Sequence, residues 1–121
     1  MYDHIGLQVK DLAESVRFYG AVLAPLGHVL CSQDEASASF GPKGAPALYL
    51  AQGKKSAKHP VHVALHASDH SAVKRFHAAG LESGGVDNGA PGLRTDYSPS
   101  YYAAFLLDPD GNNVEAVCTG G

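Results

Sequence analysis

Two short stretches of the chain show the same alternation. Residues 4–9 set Ile5, Leu7 and Val9 on one face and His4, Gly6 and Gln8 on the other. Residues 61–67 repeat this, with Val61, Val63, Leu65 and Ala67 against His62, Ala64 and His66. Each stretch predicts a strand with one buried face. Helical spacing follows both. Val16, Tyr19, Val22, Leu23 and Leu26 form an apolar stripe after Asp11, and Val73, Phe76 and Leu81 form one after Asp69. Both aspartates suit an N-cap, and Asp11 with Glu14 resembles a capping box. Gly27 marks a stop for the first helix, and Gly80 lies near the end of the second. Three further strands are predicted in each half, at about 28–33, 36–41 and 46–51, then about 84–87, 101–107 and 112–118. The run Asp108-Pro109-Asp110-Gly111 is a turn signal that joins the last two into a hairpin.

The two halves are a repeat. His4 to Asp11 aligns with His62 to Asp69 at an offset of 58 residues, and the same offset carries Phe18 onto Phe76. Further on, Phe40 to Gly44 aligns with Leu107 to Gly111 at an offset of 67. The second half is therefore longer, and the extra length falls in the Gly- and Pro-rich stretch from Gly84 to Pro99. Module one is read as 1–52, a polar linker as 53–60 and module two as 61–121. The expected fold is α+β: two tandem βαβββ modules in one domain, each with a helix on the apolar face of its sheet. The sheets are expected to pair into a cup.

Composition narrows the picture. At 121 residues with 45% apolar and 17% charged, the chain has a core and fits one compact domain. A formal charge of −3 gives no basic face for nucleic acid, and Lys54, Lys55 and Lys58 read as a solvated linker. No stretch approaches the ~20 apolar residues of a membrane span. No signal peptide is read at the start, and Cys31 and Cys118 are expected as free thiols, so a cytoplasmic setting is expected.

The chemistry lies on the faces that no helix covers. His4 and His62 stand there at matched positions, which packing does not explain. In Asn112-Asn113-Val114-Glu115-Ala116-Val117, alternation turns Val114 and Ala116 inward and Glu115 toward the histidine face. Two imidazoles and a carboxylate suit one divalent first-row ion such as Fe, Mn, Ni, Zn or Co. Open positions would remain for a small-molecule substrate, and a bound water could be acidified. His66 lies one step along the His62 face and is a candidate acid, base or substrate contact. The offset of 67 sets Leu48 opposite Glu115, so a fourth ligand is missing; a shift of one residue would offer Tyr49 instead. His28, His59, His70 and His77 read as solvent or helix-face residues.

These motifs resemble the vicinal-oxygen-chelate superfamily of glyoxalase I, fosfomycin-resistance proteins, extradiol dioxygenases and bleomycin-resistance proteins. The carriers are Asp3-His4-Ile5-Gly6-Leu7, Ser15-Val16-Arg17-Phe18-Tyr19, Val61-His62-Val63-Ala64 and Asp108 to Glu115. The resemblance implies paired βαβββ modules and a homodimer whose cups combine both chains, so that His4 of one joins His62 and Glu115 of the other. It implies an enzyme acting by bidentate metal chelation: a glyoxalase-like lyase or isomerase, a thiol transferase or an extradiol-type dioxygenase. The alternative is a metal-free binding protein of the bleomycin-resistance sort. Glyoxalase I-like members usually carry a second carboxylate where Leu48 stands, so that activity is expected to be weak. Beside Glu115, the acid–base candidates are His66 and Tyr102, and the substrate contacts are Arg94, Tyr97, Tyr101 and Leu48. The loop 84–102 carries one arginine and three tyrosines and reads as a segment at the cup mouth.

Overall fold

The computed structural model describes residues 1–53 and 59–120. The expected linker at 53–60 therefore lies largely outside the described residues, its three lysines included. The order is β1 (Ile5–Val9), α1 (Leu12–Leu23), β2 (Val29–Gln33), β3 (Ser37–Gly41) and β4 (Leu48–Gln52). Then come β5 (His62–His66), α2 (His70–Glu82), β6 (Val86–Leu93), β7 (Tyr102–Leu107) and β8 (Asn113–Cys118). This is βαβββ twice. The first sheet has the order β1-β4-β3-β2 and the second β5-β8-β7-β6, each with one parallel pair.

Local chemistry starts both helices where expected. The Asp11 carboxylate accepts from the Glu14 amide at 3.1 Å, and Asp69 accepts from the Ala72 amide at 2.7 Å. Gly27, at φ 90°, closes the 3-10 turn after α1. Gly80 lies near the end of α2, as expected, and a Cβ there would fall 2.2 Å from Leu106 Cδ1, so this glycine lets α2 lie close on β7.

One apolar core runs through both modules. Phe18, Tyr19 and Val22 of α1 meet Val73 and Phe76 of α2, with Leu50 of one sheet and Leu106 and Val114 of the other. The helices pack on each other and on their own sheets. The Asp108–Gly111 turn ties the modules together. Asp108 is buried and accepts from the amides of Asp110 and Asn112 at 2.9 Å and from Asn112 Nδ2 at 3.0 Å. It also accepts from the Tyr19 hydroxyl of the other module at 2.5 Å. Burial, with Asp108 next, raises the Tyr19 pKa well above the ordinary phenol value.

Two expectations need correction here. The stretch from Gly84 onward is not mainly loop: β6 runs to Leu93, and register shifts at Asp87/Gly89 and Gly89/Gly92 absorb its glycines and proline. His77 is not a solvent residue but is buried, with Nε2 2.9 Å from Asp87 Oδ1. Cys31 and Cys118 are free. Among the described residues, no helix is long and apolar enough to cross a membrane.

Candidate metal and substrate site

Strand alternation builds the site. In β5, Val63 faces the core while His62, Ala64 and His66 face away and are exposed. The parallel pairing sets Ala64 against Glu115, two residues along from His62 on the same face. His62 Nε2 then lies 2.8 Å from Glu115 Oε1. The Glu115 side chain is only 2% exposed, against 53% for His62. A buried carboxylate is costly unless its oxygens are satisfied. Tyr101 meets that need by donating its hydroxyl to Glu115 Oε2. Burial, then the hydrogen bond and charge of Glu115, pushes the Tyr101 pKa up to about 12. The Tyr97 ring stands edge-on to Tyr101 at 4.9 Å.

Phe105 pairs with Glu115 across β7 and β8, and its ring centroid lies 6.3 Å from that of His62. The Arg94 guanidinium sits over Phe105 at 5.4 Å. His62, Glu115, Tyr101, Tyr97 and Arg94 therefore gather on one side of the second sheet. Tyr101, Tyr97 and Arg94 are the residues expected from the sequence as substrate contacts on the stretch 84–102. Phe105 was missed, although its alternation with the core residues Ala104 and Leu106 marks the Glu115 face.

Tyr102 is not part of this group. It is buried in the core on the opposite side, stacked on His70 at 3.9 Å, because successive strand residues face opposite ways. His66 shares the His62 side, pairs in register with Val117, and lines a shallow depression with Leu26 and His28.

The sheet registers also revise the match across the repeat. Gly6 pairs with Tyr49, as its equivalent Ala64 pairs with Glu115. Tyr49, not Leu48, therefore holds the Glu115 position, because the alignment through the turn slips by one residue in the strand that follows. Leu48 faces the core and lines an apolar cleft of about 170 Å³ with Ile5, Val63 and Leu65. His4 Nδ1 lies 2.6 Å from Asp3 Oδ1, and the His4 ring is edge-on to Tyr49 at 5.2 Å. Module one thus carries a His–Tyr pair where module two carries His–Glu.

Within the chain the sheets stay separate. Among the described residues, no group of three or more His, Cys, Asp or Glu side chains is placed to hold a metal ion. His62 and Glu115 come together and His4 does not join them.

A family model of the glyoxalase/bleomycin resistance protein/dioxygenase superfamily matches residues 2–116. The chain belongs to this superfamily. A crystal structure of a glyoxalase/bleomycin resistance protein from Albidiferax ferrireducens T118 is similar at 27% identity and a TM-score of 0.82, covering 97% of both chains. A glyoxalase-related enzyme from Fulvimarina pelagi shares 18% identity at a TM-score of 0.72, over 93% of this chain and 84% of that one. A glyoxalase/bleomycin resistance protein/dioxygenase family enzyme from Burkholderia phytofirmans PsJN shares 14% identity at 0.73, over 95% of each. The last two likenesses concern the fold alone. No curated protein matches the sequence.

Proposed function

We propose that this superfamily member is a metal-dependent enzyme acting on a small oxygen-rich metabolite or xenobiotic, whose adjacent oxygens a divalent ion would chelate. The observation that supports this most is the 2.8 Å approach of His62 Nε2 to Glu115 Oε1. Both atoms carry lone pairs, so a positive hydrogen must lie between them, and a cation would satisfy the same two atoms. The donor set fits a first-row divalent ion: one imidazole, one carboxylate and, from a second copy, His4. Such an ion would polarise the substrate oxygens and acidify a bound water.

The chain's own residues do the rest. Tyr101 holds Glu115 Oε2 and so fixes which oxygen faces His62. A carboxylate held in this way keeps its orientation as substrate arrives. The open sheet faces support a homodimer. His4 is 55% exposed and His62 53% exposed, and a two-fold relation would bring His4 and Tyr49 of each copy to His62 and Glu115 of the other. A reducing, cytoplasmic setting suits the free cysteines.

The second reading, a metal-free binding protein of the bleomycin-resistance sort, draws on Tyr49. A module-one face bearing His4 and Tyr49 presents two aromatic rings, which suits a flat ligand. Metal analysis separates the two readings. Enzyme assays with a catechol and Fe(II), a thiol and epoxide with Mn(II), and the methylglyoxal–glutathione adduct then separate dioxygenase, transferase and lyase or isomerase.

A further inference from the structure

Arg94 follows β6, and its side chain folds back over the sheet. Nη2 donates to the Ala90 carbonyl at 2.7 Å, and the guanidinium lies over the Phe105 ring. Two glycines make room for it. A Cβ at Gly89 would stand 3.3 Å from Nη2, and one at Gly92 would stand 3.2 Å from Nη1. Gly89 also has φ 151°, which disfavours any side chain there. The side of the sheet is settled by Phe105: the same Gly89 Cβ would meet its Cδ1 at 2.8 Å, and Phe105 is paired with Glu115.

A guanidinium has five N–H donors. Apart from the bond to Ala90, the Arg94 guanidinium meets no acceptor and no carboxylate among the described residues. The nearest functional carboxylate, Glu115, is already held by His62 and Tyr101. The result is a cation with open donors, seated on an aromatic ring beside the candidate chelation site. The cation–π contact with Phe105 and the bond to Ala90 hold the guanidinium in place, and its remaining N–H donors suit a planar, two-oxygen partner.

We propose that Arg94 is a specificity-determining residue that receives an anionic group of the substrate, best matched by a carboxylate separate from the two chelating oxygens. This rests on the reading that chelation occurs at His62 and Glu115. The substrate class becomes a small acid with an oxygen pair at one end and a carboxylate at the other.

The test has two arms on the full chain. In the first, metal-free protein is titrated with phenylacetate or with 2-phenylethanol while the Arg94 Nε–Hε signal is followed by NMR. Phenylacetate should move that signal saturably and the alcohol should not. Arg94→Gln should weaken phenylacetate binding about tenfold to hundredfold, the range for a charge-assisted hydrogen bond. Arg94→Lys, which keeps the charge and loses the fork, should restore only part of it. In the second arm, metal-loaded protein is given 3,4-dihydroxyphenylacetate or 4-methylcatechol and binding is measured by calorimetry. Wild type should prefer the acid by about tenfold or more, and Arg94→Gln should lose that preference. Catechols that bind with no Arg94-dependent preference, together with a silent Arg94 signal, would overturn the anion site and leave chelation standing. An Arg94-dependent response to phenylacetate with no catechol binding would support the anion site and remove the chelation reading.

Discussion

Tyr49 and Glu115 hold the same register position in the two modules: each pairs with the residue two positions after the module's histidine, Gly6 after His4 and Ala64 after His62. The phenol is 39% exposed, whereas the carboxylate is buried. A two-fold dimer would therefore set a phenol across from each glutamate, where a symmetric site would have a second carboxylate.

This difference predicts weak turnover of the methylglyoxal–glutathione adduct by the wild type, since a positioned base typically contributes ~10²–10⁴-fold. Tyr49→Glu should raise the rate. Leu48→Glu, the change that the turn alignment alone would suggest, should instead unfold the protein, because Leu48 faces the core. Steady-state assays and a thermal melt check both. Efficient wild-type turnover would show that another residue supplies the base.

The Tyr19–Asp108 bond joins the two modules through buried groups. Tyr19→Phe should lower unfolding stability by about 1.5–3 kcal/mol, the range for a hydrogen bond to a charged group, and should leave metal content unchanged. Urea unfolding measures it. A change within ~0.5 kcal/mol, the range of ordinary surface substitutions, would mean the bond adds nothing net.

Tyr101 should ionise late, at about 12. Its folded pKa lies above the ordinary value of ~10, so its contribution to stability is present below that value and is lost as pH rises toward 12. Ultraviolet titration of Tyr101→Phe should lack one late phenolate step. Loss of a step near 10 instead would show that Tyr101 does not hold Glu115.

The strands and helices were legible because their apolar periods are clean: Leu7 and Val9 in β1, Phe18 and Val22 in α1, Val114 and Ala116 in β8. Glu115 and His62 could be set on one face by counting alone. Other features needed three dimensions. The slip between Leu48 and Tyr49 arises because a turn was used to align the strand behind it. Tyr101 and Tyr102 are neighbours in sequence and face opposite ways, so only the start of β7 decides which meets Glu115. Gly89 and Gly92 read as loop residues, yet bulges keep them in a strand beneath Arg94.

Assembly follows from the open faces. Sedimentation at micromolar concentration should give a homodimer. A charged pair of substitutions on the exposed β1 and β5 faces, Gln8→Glu with Ala64→Glu, should shift it toward monomer and reduce metal retention together. A monomeric wild type that keeps full metal content would contradict a site shared between chains.

The central claim is that His62 and Glu115 hold a metal with His4. Its most direct measurement is the metal content of protein purified without chelator or affinity tag, in wild type, His4→Ala, His62→Ala and Glu115→Ala. Wild type should carry about one divalent ion per chain and release it in acid, because imidazole ligates only when neutral. Each variant should remain folded and lose tight binding. Full occupancy in the variants, or a wild type that takes up no divalent ion at any loading, would contradict the account.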